Sequence, residues 1–177
     1  MSVKLGALQR GHRNRIREIL DATSVFREEE VRVALELFDE TFASGPARSG
    51  VMPYDPGDGV ANYEFVGSFS REGQLVGYVC YGATPGTDRT YDLYWIAMHP
   101  HFQGTGGGSQ LLDEVERRLR QREARLLVVE TSSRDDYAPT RHFYEARGYD
   151  RVAQLRDFYA PGDDRVIYSK RLSHPHP

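Results

Sequence analysis

A glycine-rich stretch in the middle of the chain has the composition of an anion-binding loop. It reads Gln103-Gly104-Thr105-Gly106-Gly107-Gly108-Ser109, follows an apolar segment and a turn at Pro100, and leads into an amphipathic segment. Because four of these seven residues are glycines, several backbone N–H groups can point into one concavity beside the positive end of a helix dipole. The pattern therefore predicts binding of a phosphate or pyrophosphate group.

Three kinds of phosphate loop join a strand to a helix, and the residue spacing separates them. A nucleotide P-loop needs Lys and then Ser or Thr after its last glycine, whereas Ser109 follows Gly108 directly. A dinucleotide-binding turn needs a third glycine where Ser109 stands, although Glu130 imitates its ribose-binding acid. The pyrophosphate loop for acetyl-coenzyme A (acetyl-CoA) has Gln or Arg, two residues, Gly, one residue, and then Gly or Ala. Gln103, Gly106 and Gly108 match this third pattern in full.

Two further segments match the same pattern at the same spacing. Ala97-Met98-His99-Pro100 forms the strand exit before the loop, and Phe143-Tyr144-Glu145-Ala146-Arg147-Gly148-Tyr149 begins 35 residues after Gly108. Together with the loop, these segments resemble the GNAT family of N-acetyltransferases. Two motifs joined by a helix and a strand are a far more specific signal than a glycine-rich loop alone.

The resemblance implies a binding site for acetyl-CoA as co-substrate. The central strand would bind the pantetheine arm through free backbone groups, with the Met98 N–H as the oxyanion donor. Relatives often carry Asn seven residues before the catalytic tyrosine, whereas this chain has Tyr137. The cofactor-binding residues implied are Ile96, Ala97, Met98, Gln103, Gly104, Thr105, Gly106, Gly107, Gly108, Ser109 and Tyr137.

The resemblance also implies two catalytic residues. Tyr144 matches the tyrosine that protonates the leaving thiolate, and an unperturbed pKa of about 10 keeps a phenol protonated at neutral pH. Asp92 falls where some relatives carry a glutamate base, and alternation along the strand predicts that it shares a face with Tyr94, Ile96 and Met98. Glu130 and a chain of water molecules are the alternatives for the base.

The function expected is transfer of an acetyl group from acetyl-CoA to a primary amine of a small molecule or a protein. A non-catalytic acyl-CoA-binding sensor or interaction module is the alternative, and a dinucleotide-dependent oxidoreductase is a distant third. Acetyl-CoA and an amine acceptor are the expected partners, and a homodimer is compatible with the family.

Composition narrows the class of protein. The chain has 177 residues, a net charge of −3, 39% hydrophobic residues and one cysteine. No apolar run approaches the roughly 20 residues that a membrane helix requires, and the polar N-terminal residues do not resemble a signal peptide. The weak negative charge argues against a nucleic-acid partner, and the single cysteine is typical of a cytoplasmic protein without disulfides. We therefore expect neither a nucleic-acid nor a membrane partner.

The order of predicted elements indicates an α+β fold with a mixed sheet rather than a doubly wound parallel one. Apolar periodicity predicts a helix over 10–22 and a second one, capped by Ser24, with a buried stripe of Val31, Ala34, Leu35, Phe38 and Phe42. Strands follow at 63–69, 75–81 and from Tyr91, then a helix ending near Glu123, a buried parallel strand at 126–130 and a short helix bearing Tyr144. A hairpin at 151–159 and 165–170 closes the order α-β-β-β-α-β-α-β-β.

The segment 44–62 and the C-terminal residues contain few candidates for a functional site. Residues 44–62 read as a loop, in which Tyr54, Asp55 and Asp58 could present an aromatic and acidic edge to an amine. His174 and His176 lack ligand partners at metal spacing, so no metal site is expected. We expect one domain over residues 1–172 and a flexible tail over 173–177.

Overall fold

A mixed β-sheet with helices on both faces forms the protein, as seen in a computed structural model that describes residues 3–43 and 63–173. The strands are β1 (Lys4–Gly6), β2 (Tyr63–Phe69), β3 (Leu75–Ala83), β4 (Thr90–Met98), β5 (Leu126–Ser132), β6 (Asp150–Ala160) and β7 (Asp163–Arg171). The helices are α1 (Arg13–Thr23), α2 (Glu28–Ala43), α3 (Gly107–Gln121) and α4 (Ala138–Glu145). The sheet order is β1-β2-β3-β4-β5-β7-β6, in which β4 and β5 are parallel and the other pairs antiparallel. This arrangement confirms the predicted fold class.

The amphipathic stripe predicted for α2 faces the sheet. Val31, Ala34, Leu35 and Phe38 are each at most 3% exposed, and Phe42 packs at the edge of the same cluster. Three glutamates occupy the first turn of α2, where carboxylates interact favourably with the positive end of the helix dipole. The spacing of apolar residues therefore predicted both the helix and its buried face.

The cap predicted for α2 was wrong. Ser24 adopts a left-handed conformation with φ 56°, and its N–H donates to the carbonyl of Asp21, so it ends α1. At the start of α2, the Arg27 N–H instead donates to the Glu30 carboxylate at 2.7 Å. The serine was misassigned because the same polar residue types occur at both ends of helices.

Two short elements were not predicted, and one predicted stop is confirmed. β1 pairs with the end of β2, and residues Arg10–His12 form a 3₁₀ turn ahead of α1. Gly148 has φ 75° after α4, and the Tyr149 N–H reaches back to the Tyr144 carbonyl at 3.1 Å. This is the glycine-ended helix stop that the sequence indicated.

The sheet separates two apolar clusters. On one face, α1 and α2 pack with β3 around Ile16, Leu20, Phe38 and Tyr78. On the other face, α3 covers β2, β3 and β4, and its Leu111, Leu112, Val115 and Leu119 are completely buried. The helices of the described residues are too short or too polar to cross a membrane. Residues 44–62 and 174–177, with Tyr54, Asp55, Asp58, His174 and His176, lie outside the described residues.

A buried glutamate joins α3 to the closing hairpin. Glu116 is 4% exposed, yet both of its carboxylate oxygens accept a hydrogen bond from the Lys170 ammonium at 2.9 Å. The Tyr149 hydroxyl at 3.0 Å and the Arg120 guanidinium at 2.7 Å also donate to this carboxylate. These four bonds connect α3, β7 and the residue just before β6 at one point.

Replacing Glu116 by alanine should lower the free energy of unfolding by about 3 kcal/mol, because it leaves the ammonium of Lys170 and the hydroxyl of Tyr149 without their acceptor. Urea denaturation followed by circular dichroism measures this loss. Glu36, which forms an exposed pair with Arg32 on α2, is the control, and its alanine variant should change stability by less than about 0.5 kcal/mol. Equal losses in the two variants would contradict the special role of Glu116.

Candidate active site

The two parallel strands at the centre of the sheet separate at their C-terminal ends. Pairing between β4 and β5 runs from Thr90 with Leu126 to Leu93 with Val129 and stops there. Both strands continue, β4 to Met98 and β5 to Ser132, where β5 still pairs with β7. The gap between residues 94–98 and 130–132, here called the β4–β5 cleft, exposes one edge of β4.

A bulge in β4 decides which side chains face which cluster. Cys80 pairs with Trp95 and Tyr81 pairs with Leu93, so Tyr94 is an extra residue without a partner in β3. Leu93 packs with α3, whereas Tyr94 and Trp95 pack with α1 and α2. The extra residue shifts the alternation, so that Ile96 and Met98 return to the α3 side.

Backbone groups of β4 point into the cleft at two alternate residues. The His99 N–H donates to the Val76 carbonyl at 2.8 Å, and Met98 is the register partner of Gly77. In an antiparallel pair, alternate residues direct their backbone groups toward the neighbouring strand and away from it. Those of Ile96 and Met98 therefore face the cleft, while Ala97 between them faces β3.

Part of this free edge is already bonded. The side-chain amide of Gln103 donates to the Met98 carbonyl at 3.1 Å. Gln103, the first residue of the predicted loop pattern, thereby joins the loop to the strand. The Met98 N–H, predicted as the oxyanion donor, keeps its direction into the cleft.

A cavity of about 130 Å³ occupies the cleft. Strand β4 lines it from Leu93 to Met98, and Val129, Glu130 and Thr131 of β5 face it from the other side. The remaining walls come from the end of α1 and the α1–α2 connection, from the glycine loop, and from α4 with the residue before it: Thr23, Val25, Phe26, Gln103, Tyr137, Thr140 and Tyr144. Among the residues that the sequence analysis named, Tyr144, Ile96, Ala97, Met98, Gln103 and Tyr137 line this one cavity.

The glycine loop ends at the first turn of α3. Gly106 is the N-cap and has φ 86°, a left-handed conformation that is strained for residues with a side chain. The first helical hydrogen bond runs from the Gln110 N–H to the Gly106 carbonyl at 3.0 Å. The N–H groups of Gly107, Gly108 and Ser109 precede that bond and have no partner within the helix. Backbone N–H groups at such a helix end are suited to an anion, and the Thr105 hydroxyl steadies the turn by donating to the Phe102 carbonyl at 2.7 Å.

Gly107 connects this turn to the cleft by close packing. A Cβ at Gly107 would lie 2.6 Å from Cε of Met98, and one at Gly77 would lie 2.1 Å from its Sδ. The Met98 side chain fills the space that these two glycines leave. The strand that lines the cleft and the helix that follows the loop are thus held in fixed relation.

Tyr144 is a buried tyrosine whose ring forms part of the cavity wall. It is 2% exposed and packs against Tyr149 and Tyr168, with ring centroids 5.4 and 6.2 Å away. Its hydroxyl makes no hydrogen bond with residues 3–43 and 63–173, and burial raises its pKa, which keeps the phenol protonated. A proton donor that has no acceptor among the described residues therefore lies at the cleft.

The two candidate bases occupy different places. Asp92 is outside the cavity lining and accepts a hydrogen bond from the Thr84 hydroxyl at 2.7 Å. It lies on the side of Tyr94, whose pKa is raised to about 12 by burial and then by the charge of Asp92. The predicted shared face with Ile96 and Met98 was wrong, because the bulge at Tyr94 turns those two residues to the opposite side.

Glu130 lines the cavity directly. It lies on β5, its side chain is 38% exposed, and it forms an ion pair with Arg165 of β7. The guanidinium of Arg165 also lies over the ring of Phe158, 4.8 Å from its centroid. Sequence reasoning missed Arg165, since 35 residues separate it from Glu130 and no local pattern connects them.

Tyr137 closes one end of the cavity. Its hydroxyl donates to the carboxylate of Glu30 at 3.3 Å, and burial together with the charge of Glu30 raises its pKa. Its ring packs edge-on against Phe26, with the centroids 6.4 Å apart. Tyr137 therefore contributes a ring to the wall and a connection between α4 and α2.

The α1–α2 connection is held across the cleft by two cationic side chains. Arg134 donates to the Val25 carbonyl at 2.8 Å, and Arg27 pairs with the buried carboxylate of Asp163 at 2.6 Å. The Ser132 hydroxyl at the end of β5 donates to the same carboxylate. No cluster of three or more His, Cys, Asp or Glu side chains suited to a metal ion occurs within residues 3–43 and 63–173.

Comparisons with known proteins identify the family. The model of the acetyltransferase (GNAT) family matches residues 26–149, whereas curated proteins give no match. A solved structure from Desulfovibrio desulfuricans, described as a GNAT-family acetyltransferase, is 39% identical with a TM-score of 0.83, covering 97% of this chain and 100% of that one.

More distant solved structures share the fold. The ribosomal-protein-S18-alanine N-acetyltransferase of Escherichia coli is 16% identical with a TM-score of 0.73, covering 99% and 97% of the two chains. YncA from Salmonella typhimurium, solved with its cofactor acetyl-CoA, is 18% identical with a TM-score of 0.69, covering 100% and 98%. The family model over residues 26–149 and the 39% identical structure together show that the chain belongs to the GNAT family of acetyltransferases.

Proposed function

We propose that the protein transfers an acetyl group from acetyl-CoA to a primary amine of a small molecule or a protein. The observation that carries this proposal is the continuous path from the first turn of α3, along the free edge of β4, to the hydroxyl of Tyr144. One end of the path suits a pyrophosphate and the middle suits an amide-containing arm. The other end offers a proton donor.

The residues along this path fit the co-substrate. A Cβ added at Gly104 or Gly106 would meet no atom within 4 Å, so the space in front of the loop is open. Three N–H groups of the first turn of α3 can donate to phosphate oxygens, and Ile96 offers an N–H and a carbonyl to the amides of the pantetheine arm. Bound acetyl-CoA would supply a thioester carbonyl that an amine can attack.

Each chemical step has a residue of this chain placed for it. The Met98 N–H would stabilise negative charge on the carbonyl oxygen during attack. Tyr144 would donate its proton to the departing thiolate, since its raised pKa keeps the proton on the phenol until it is needed. Holding the thioester and the amine side by side in the cleft would contribute much of the rest of the rate enhancement.

We propose Glu130, rather than Asp92, as the group that takes the proton of the amine. Glu130 faces the cavity, where its carboxylate can accept a proton from a bound amine, and its ion pair with Arg165 holds the side chain in place. Asp92 is bonded to Thr84 and lies outside the cavity lining. The homodimer, the cytoplasmic location and the single domain over residues 1–172 stay predictions.

Calorimetry with acetyl-CoA, paired with a thiol-release assay over a panel of amines, tests the proposed function. The enzyme should bind acetyl-CoA and release coenzyme A only when an accepted amine is present. Binding without turnover on any amine would support the non-catalytic sensor instead. If the protein did not bind acetyl-CoA, both the acetyltransferase and the sensor function would be contradicted.

Replacing Gly108 by valine should raise the apparent KM for acetyl-CoA about tenfold while the fold is kept. A Cβ at Gly108 would lie 3.7 Å from Cγ of Met98, an ordinary contact where the loop meets the cleft. The two extra methyl groups of valine would compete with the bound arm. Gly108→Ala is the control and should behave like the wild type. A normal KM in a folded Gly108→Val protein would show that the loop is a plain turn.

A further inference from the structure

An exposed pair of aromatic rings lies on β6 beside the cleft. Among the described residues, five large hydrophobic side chains are exposed, and four of these five lie on β6. Phe158 and Tyr159 are 48% and 41% exposed, and their ring centroids are 5.0 Å apart with the ring planes at 88° to each other. The two rings therefore form an exposed apolar corner, here called the Phe158–Tyr159 corner.

A bulge in β6 produces this corner. Pairing with β7 is interrupted between Leu155 and Ala160, where four residues of β6 stand opposite one residue of β7. Asp157 lies in the bulge with φ 51°, its N–H donates to the Asp164 carboxylate at 2.9 Å, and its own carboxylate accepts from the Gly162 N–H at 2.6 Å. Successive side chains of a regular strand point to opposite faces, whereas this bulge brings two neighbouring rings into contact.

Phe158 is separated from the cavity by a single guanidinium group. The guanidinium carbon of Arg165 lies 4.8 Å from the centroid of the Phe158 ring, and the same group forms the ion pair with Glu130. Glu130 lines the cavity and is the proposed base. An amine whose nitrogen lies at Glu130 therefore has its substituent within reach of the Phe158 ring.

Tyr159 lies toward the wall that α2 contributes to the cleft. Partial burial raises the pKa of Tyr159, and the charges of Glu30 and Asp163 add to this effect, so both carboxylates lie near its hydroxyl. Glu30 accepts a hydrogen bond from Tyr137, whose ring packs against Phe26, and both of these rings line the cavity. Aromatic side chains therefore extend from the cavity wall toward the Phe158–Tyr159 corner.

We propose that the acceptor is a primary amine with an apolar aromatic body, which rests in the Phe158–Tyr159 corner while its nitrogen lies at Glu130. The inference rests on the proposed function, since it describes the second substrate of that reaction. An aromatic body gains contact area and edge-on packing from two perpendicular rings, whereas a short amine gains neither. Phe158 and Tyr159 thus select the amine and take no part in proton transfer.

Kinetics with two amines test this assignment. 2-Phenylethylamine and ethylamine carry the nitrogen on the same alkyl chain and differ only by the phenyl ring. The wild type should have a kcat/KM about tenfold higher for 2-phenylethylamine, and Phe158→Ala should lose about tenfold with that amine while matching the wild type with ethylamine. Val152→Ala is the matched control, because it truncates an exposed apolar side chain six positions earlier on the same strand, and it should leave both values unchanged.

The contradicting results can be told apart. An equal loss with both amines in Phe158→Ala would overturn the inference, because the ring would then act only by supporting Arg165 and Glu130. Equal kcat/KM of the wild type for the two amines would overturn the inference and leave the proposed function standing. If Phe158→Ala dissociated a wild-type dimer in sedimentation analysis with unchanged amine preference, the corner would be a contact between copies of the chain. If the wild type acetylated no amine, the proposed function would fail as well.

Discussion

Replacing Tyr144 by phenylalanine should lower kcat about 10²-fold or more, the low end of what a positioned general acid contributes. The substitution keeps the ring that packs against Tyr149 and Tyr168, and it deletes only a hydroxyl that has no hydrogen-bond partner in the part of the chain that the structure describes. The free energy of unfolding and the affinity for acetyl-CoA should therefore change little. Steady-state kinetics at saturating amine, with calorimetry and thermal denaturation as controls, measure these three quantities.

The leaving group provides a second readout for Tyr144. An acyl donor whose thiol has a lower pKa should recover part of the lost rate, since a better leaving group needs less help from a proton donor. Tyr168→Phe is the matched control, because its hydroxyl donates to Glu145 at 2.8 Å and it does not line the cavity. Wild-type kcat in Tyr144→Phe, under conditions where thiol departure limits the rate, would show that Tyr144 is only a packing residue.

Burial of Tyr144 also predicts how the rate depends on alkaline pH. Burial raises its pKa above the ordinary value for tyrosine, because the charged phenolate is disfavoured in a poorly solvated place. Tyr144 therefore keeps its proton at alkaline pH values at which an exposed tyrosine would lose it. Activity should not decline through ionisation of Tyr144 below about pH 10, the unperturbed value.

Replacing Glu130 by glutamine should lower kcat/KM about 10²-fold, because glutamine keeps the shape of the side chain but cannot accept a proton. Asp92→Asn is the comparison, and it should retain most of the activity since Asp92 lies outside the cavity lining. Kinetics over a range of pH should show the Glu130→Gln loss shrinking at alkaline pH, where more of the amine is already neutral. A greater loss of kcat/KM in Asp92→Asn than in Glu130→Gln would indicate that Asp92 is the general base.

Features that depend on local sequence were predictable. The apolar spacing of α2, the continuous apolar run of β5 and the glycine stop after α4 each reflect interactions between residues close in the chain. The glycine loop is also local, because its conformation and the helix that follows are set within seven residues. The position of Tyr144 relative to the loop was implied by the family resemblance, because 36 positions separate Tyr144 from Gly108.

Features that depend on pairing between distant segments were not predictable. The bulge at Tyr94 arises from the register between β3 and β4, and one extra residue reversed the side-chain directions expected after Asp92. The contacts of Arg165 with Glu130 and of Arg147 with Ser109 join residues 35 and 38 positions apart, which no periodicity connects.

The central claim is that the β4–β5 cleft moves an acetyl group from a thioester to an amine. Incubating the protein with acetyl-CoA labelled in the acetyl group and with an amine that stimulates thiol release tests this directly by mass spectrometry. The labelled acetyl group should appear on the nitrogen of the amine in a one-to-one ratio with the coenzyme A released, and both should fall together in Tyr144→Phe. Release of coenzyme A with the label recovered only as acetate would contradict the claim.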